Sequence, residues 1–366
     1  MGLTVDIPGL RAAADGYVRY GDEFKGTVSS GIGQSSLPWT SIPMIDMGFQ
    51  EAYSQAYDAM DLATRALGDV LHTVGLALTR VANHYEHNDA ANARMFGGRP
   101  ITAAPAPEPH SMDGGANAGD LMRLGGEGLG ALALIGASLK ILIASSVPLG
   151  VPFIGIEVAL GAAAVLNLRD PLPYFDAYEG WGKVREVLNE AVAKVPQLCN
   201  NVVYRGNWSG DGKDAFYACI NNDIAPSMAA MKDLNNDMQT ACREGGIALL
   251  VSIGGFIAAT LTAIGIVESA NATAAATAGV ATPAAAAAAS ISLAAWVGFV
   301  TELLIDVSAV FGGLAVATSQ IGQSYDTLKA FMGGKDHQLD AGSLTLRANE
   351  LDRMQSWENS WKEPAP

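Results

Sequence analysis

The side chains with chemical potential in this chain fall into a few small groups. His84, His87 and Asp89 lie close together on a stretch with helical periodicity, a spacing that could turn imidazole and carboxylate toward one metal ion. They sit in a polar run, and a solvated helical face is the simpler reading. Cys199, Cys219 and Cys242 are too few for a disulfide scaffold and lack the paired spacing of a metal site. Tyr57 with Asp61, and Tyr85 with Asp89, each set a phenol and a carboxylate four residues apart on one helix face, where they could form a recognition patch. No G-x-S-x-G, phosphate-binding loop, dinucleotide fingerprint or H-E-x-x-H appears. The residues therefore predict a non-enzymatic protein with no catalytic residues, no metal and no cofactor.

Composition narrows the partners. The 366 residues carry a formal net charge of -15, with 49% apolar and 16% charged residues. Nucleic-acid backbones demand a basic face, so binding to them is not expected. Anionic lipid headgroups are disfavoured for the same reason. The opening Met1-Gly2-Leu3-Thr4-Val5-Asp6 lacks the basic-then-apolar pattern of a cleavable secretory signal, and Asp6 stands where a myristoylation site needs Ser or Thr. Export would then need a machine that does not read a signal peptide.

The elements that position these residues read as helices throughout, an all-α fold of long antiparallel hairpins. In 1–97, Leu10, Ala14, Tyr17, Gly21, Phe24 and Val28 step by three and four, the seam of a packed helix. Residues 29–43, with Gly31, Gly33, Pro38 and Pro43, read as a loop. The period then resumes through Tyr53, Tyr57, Met60, Thr64, Leu67, Leu71, Val74, Leu78, Val81 and Tyr85, a coiled-coil seam on one helix of about 45 residues with Thr64 as its polar member. Such a helix needs an antiparallel partner, and the first helix supplies it. Residues 98–118 form a proline-rich linker. Residues 119–169 form an apolar hairpin split at Pro148 and Pro152, and 170–244 form a second polar hairpin. In that hairpin, Ala177, Trp181, Val184, Leu188, Ala191, Val195, Leu198 and Val202 form one seam and Phe216, Ile220, Ile224, Met231, Leu234 and Met238 the other. Gly206 to Gly212 is the turn between them, with Asp211 a candidate N-cap.

From Gly245 to Val267, and again from Ser269 to Thr301, there is no charged residue. The first run is long enough to span a bilayer. The second contains Asn271, several Ser and Thr residues and Pro283, and reads in part as a small-residue loop. Residues 245–332 thus form Ala- and Gly-rich apolar helices, and 333–366 a polar tail. Whether 129–168 and 245–330 enter a membrane or pack as a soluble core stays open at this level.

Two motifs carry a resemblance. The opening Leu3-Thr4-Val5, the segment Leu71-His72-Thr73-Val74-Gly75, and Val81 through Asp89 to Ala93 resemble the EspC-like targets of the actinobacterial type VII (ESX) secretion system. Those are small helical hairpins ending in a Tyr-x-x-x-Asp/Glu export motif. The resemblance covers about 95 residues and gives Tyr85 and Asp89 the export role; Tyr57 and Asp61, mid-helix, do not match that position. Trp208-Ser209-Gly210, followed by Ala215-Phe216, resembles the hairpin turn of the WXG family, the other substrate class of that system. The competing readings are structural: Tyr85 filling a seam position, and the Trp208 indole packing a turn. Unlike a single WXG protein, this chain is long and flanks the hairpin with apolar segments.

In those families the W-x-G turn of one partner lies near the Tyr-x-x-x-Asp of the other. This chain carries both halves, so the expectation is an internal pseudo-heterodimer: hairpin 1–97 packed on hairpin 170–244 as a four-helix bundle. Cys199 and Cys219, equidistant from Ser209, face each other across their hairpin. They would be reduced in the cytosol and could pair after export if their Cα atoms approach within about 7 Å, while Cys242 stays a thiol. The resemblance implies a secretion ATPase and a dedicated chaperone as partners, and a secreted or cell-surface location. Self-association and membrane contact are further possibilities. The functional expectation is a secreted helical interaction or virulence-type factor; the alternatives are a membrane-inserting or pore-forming protein delivered by the same system, or the leader of a toxin.

Overall fold

The computed structural model describes residues 6–44, 47–95, 128–149, 154–205, 211–277 and 280–320. Among them every regular element is helical. Helix α1 (Ile7–Glu23) starts on Asp6, whose carboxylate accepts from the Gly9 amide, with Pro8 in the first turn where its missing N–H costs nothing. It runs through a π-helical turn (Phe24–Val28) into α2 (Ser29–Gln34). The loop expected from Ser29 therefore begins only at Ser35. Gly31 does not break the helix; it lets two backbones meet, because a Cβ there would stand 2.9 Å from the carbonyl oxygen of Gly180.

Helix α3 (Met47–Met95) has 49 residues, about 73 Å of helix, and lies antiparallel to α1. The two approach at glycines. A Cβ on Gly21 would meet the His72 nitrogen at 2.7 Å, and one on Gly75 the Ala14 carbonyl oxygen at 2.7 Å. The predicted seams are buried: Leu10 and Tyr17 on α1, Phe24 and Val28 on the π-helical turn that follows it, and Tyr53, Met60, Leu67, Leu71, Val74 and Leu78 on α3. Thr64 is buried with them, and its hydroxyl has no hydrogen-bond partner among the described residues.

Helices α4 (Gly128–Ser146) and α5 (Ile154–Asn167) form the apolar hairpin, separated by a 3-10 turn (Val147–Leu149) that contains Pro148. Helix α6 (Leu172–Asn200) ends in a π-helical turn (Asn201–Arg205). Its return arm is α7 (Asp211–Ala218), a third π-helical turn (Cys219–Ile224) and α8 (Ala225–Ala276), which packs along α6. Helix α8 has 52 residues and runs without a break through Glu244 and Gly245. The boundary drawn there by composition falls inside one helix, so the polar bundle and the apolar lobe share a continuous strut. Helix α9 (Thr282–Gln320) returns along α8 and reaches α3. The small-residue stretch expected to be loop is helical as far as Ala276 and again from Thr282, because alanine is the strongest helix former and Pro283 falls in the first turn. The linker 98–118 and the tail 333–366 lie outside the described residues.

The molecule thus has a polar bundle of α1–α3, α6, α7 and the first half of α8, and an apolar lobe of α4, α5, the rest of α8 and α9.

Candidate functional site

The two hairpins are joined by side chains of unequal burial. At the centre, Trp181 Nε1 donates to Tyr53 Oη at 2.9 Å, and Tyr53 Oη donates to the Ser35 carbonyl at 2.6 Å. Because that bond uses the only phenolic hydrogen, Cys242 Sγ, 3.4 Å from the same oxygen, is the donor of the third contact. Ser35 Oγ contacts the Ala177 carbonyl at 3.3 Å, and Tyr57 packs edge-on against Trp181. Burial, then the neighbouring Cys242 thiol, hold the Tyr53 phenol well above its usual range. This hub ties α3, α6, α8 and the Ser35 turn.

Further along, the pairs fix the direction of the bundle. Tyr20 Oη and Arg19 Nη2 both reach Glu190 Oε1, at 2.8 and 3.1 Å. The Tyr17 hydroxyl donates to the Val195 carbonyl at 3.0 Å, and Gly16 makes room for Leu198, whose Cδ1 would be 2.6 Å from an added Cβ. As numbers rise along α6 they fall along α1, so the next turn of α1 lies beside residues 201–205, which it touches. There Arg11 donates to Asn83 at 3.1 Å and pairs with Glu86 near the end of α3. Tyr85 is half-buried against the core beside this clasp. It stands at the end of the bundle where the described part of α6 and its π-helical turn finish at Arg205.

Tyr85 and Asp89 are both on α3. The Asp89 side chain, Trp208 and Gly210 lie outside the described residues. Tyr57 and Asp61 are explained by packing: Tyr57 lies on Trp181, and Asp61 pairs with Arg65 at 2.6 Å. His87 is exposed, and among the described residues no cluster of His, Cys, Asp or Glu has the makings of a metal site.

No disulfide joins the cysteines. Cys199 is buried and accepts from Asn221 Nδ2 at 3.6 Å. Burial pushes its thiol up to about 12, with a smaller contribution from Cys219 across the hairpin. Tyr17, beside both thiols and edge-on to Phe216 at 5.9 Å, is likewise raised, chiefly by burial. At the outer rim Tyr204 is 69% exposed and meets Tyr217 edge-on at 6.0 Å. Seam spacing identifies Tyr53 and Trp181 as core positions but does not reveal the bond between them. The available signal was an aromatic with a polar atom in each of two facing seams, since a buried hydroxyl or indole N–H requires a partner.

No protein-family model matches this chain, and no curated protein or solved structure shows significant similarity to it.

Proposed function

We infer that this protein is a non-enzymatic substrate of a type VII (ESX) secretion system, with both halves of the export signal on one chain. What supports this reading is the end of the bundle: Tyr85 stands beside Arg11, whose helix runs past residues 201–205, and the Trp208-Ser209-Gly210 motif follows those residues in sequence. In the families that the sequence resembles, the two motifs meet across two polypeptides. Here hairpin 170–244 takes the place of the separate partner, and the buried Tyr53–Trp181 hub keeps the hairpins in register. The secretion ATPase would read the composite end, and a dedicated chaperone would cover the apolar lobe before export. The product is a secreted or cell-surface protein.

The test is secretion from an actinobacterial host with an intact system. Tyr85→Ala, Asp89→Ala and Trp208→Ala are each expected to remove the protein from culture filtrate while the cytosolic level is maintained, as is loss of the secretion ATPase. Asp61→Asn, which only frees Arg65, is expected to leave export intact. Normal export of the Tyr85 and Asp89 variants would overturn the reading.

A further inference from the structure

Most long apolar helices in soluble proteins are core helices, hidden on nearly every side. Those of the lobe are not: only 39% of the most apolar window of α8 and 33% of that of α9 is buried. What they expose is itself apolar. On α8 Leu261 is 56% exposed and Ile266 is exposed with it, Ile247, Leu250 and Val251 are exposed nearer the joint, and on α9 Ile291 is 72% exposed. Val158 and Leu166 on α5 and Ile141 on α4 carry the surface further around. Isolated exposed apolar residues are ordinary, but a belt spread over four neighbouring helices marks a contact surface.

The distribution of charge along the lobe says what the belt contacts. Phe256 packs on Trp296, and Gly255 lies beside Phe299 and Leu303, so Glu302 is level with residue 254 of α8. Glu268 is 14 residues further toward the tip, about 21 Å of helix. Lys140 is near that same end, because Asn271 Nδ2 donates to the Ser145 carbonyl at 2.8 Å. Between the two levels α8 and α9 carry no charged residue, and the Glu157 position of α5 falls at the Lys140 end, one turn before Gly161, which packs on Leu139. A protein partner would ordinarily find a polar rim here, with donors and acceptors left to share. Instead the polar atoms are used internally. Trp296 Nε1 donates to Thr260 Oγ1 at 3.0 Å, Thr260 Oγ1 to the Phe256 carbonyl at 2.7 Å, and the exposed Thr262 Oγ1 to the Ala258 carbonyl at 2.9 Å. Self-satisfaction is what hydrocarbon surroundings demand.

We propose that the lobe inserts this belt into the acyl region of a zwitterionic lipid bilayer, with the Ala276 end of α8 and the Thr282 end of α9 leading. Glu302 and Asp306 stay at the near headgroups, Lys140 and Glu268 reach toward the far ones, and the polar bundle remains in water. The net charge of -15 directs the choice to zwitterionic rather than anionic lipid. The 21 Å belt is shorter than a hydrocarbon core of about 30 Å, so thin bilayers are the better match and Glu268 is the group that resists entry. This inference concerns the purified protein and does not depend on the export route.

The experiment is flotation of the full chain with phosphatidylcholine vesicles having acyl chains of 14 or 18 carbons. Binding is expected to both, more to the thinner, and to rise in Glu268→Gln. Leu261→Asp and Ile291→Asp, on exposed faces at mid-belt, should reduce flotation by at least about tenfold with helical content unchanged. A detergent-free chain that floats with neither vesicle would overturn the proposal. So would a concentration-dependent oligomer dispersed by Leu261→Asp with no lipid binding, which would make the belt an interface between copies.

Discussion

At the scale of single residues, the Tyr53 hydroxyl is the most consequential polar group. Tyr53→Phe keeps the ring but leaves the Trp181 N–H and the Ser35 carbonyl without their partner in a buried setting. Buried groups left unpaired cost about 1–3 kcal/mol each, so a loss of roughly 2–6 kcal/mol is expected, read as a lower urea midpoint at unchanged slope. The neighbouring thiol sets a pH limit. Burial pushes Cys242 up to about 12 from an ordinary 9.0. Below pH 9 folded and unfolded chains both hold the proton, so the contribution is fully present. Above it only the unfolded chain ionises, and stability falls until the folded thiol ionises too. Each pH unit in that window costs about 1.4 kcal/mol for this one group. Cys242→Ala should therefore flatten the alkaline limb of a stability profile between pH 9 and 12, while the native chain shows the steeper fall.

At the scale of elements, the glycines divide into two kinds that sequence alone does not separate. Gly75 faces α1 so closely that a Cβ would stand 2.7 Å from the Ala14 carbonyl oxygen and 2.9 Å from the Val18 nitrogen, both backbone atoms that move only with their helix. Gly265, on the outer face of α8, has nothing within 4 Å. Gly75→Ala should force α1 and α3 apart and cost about 1–3 kcal/mol, as overpacking does. Gly265→Ala should raise the thermal midpoint, through a gain of up to about 1 kcal/mol in helix propensity. Calorimetry of the two variants checks both signs. The contrast explains what was legible. Apolar side chains declare their face by spacing, so the seams through Tyr17, Leu71 and Trp181 could be read directly. Gly31 gives no such signal: the same residue that ends one helix lets another approach, and only the partner, Gly180, decides which. The alanine-rich run before Pro283 misleads for a related reason, since small residues suit loops and helices alike until packing chooses. At the candidate site, the Tyr85–Asp89 spacing was visible, but the level of Tyr85 beside α1 comes from pairings such as Arg11 with Glu86, which no local pattern encodes.

At the scale of the molecule, the joint between bundle and lobe decides whether the two act as one body. Helix α8 passes through it unbroken, and around it Phe49 of α3, Tyr174 of α6 and Phe311 of α9 form a closed aromatic group. Their ring centroids are 5.6 to 6.5 Å apart. Gly245 is open enough for Tyr174, whose Cε1 would lie 3.0 Å from an added Cβ. Phe49 is the one member of this trio from the first hairpin, so it is that hairpin's aromatic contribution to the joint. Phe49→Ala removes a fully buried ring and should cost about 3–5 kcal/mol. The loss falls on the interface more than on either part, because α8 and α9 still pack along each other and α1 along α3. Calorimetry of the native chain is then expected to give one cooperative transition, and that of Phe49→Ala two, the bundle melting first. A single transition simply moved to lower temperature would mean that α8 alone couples the two parts.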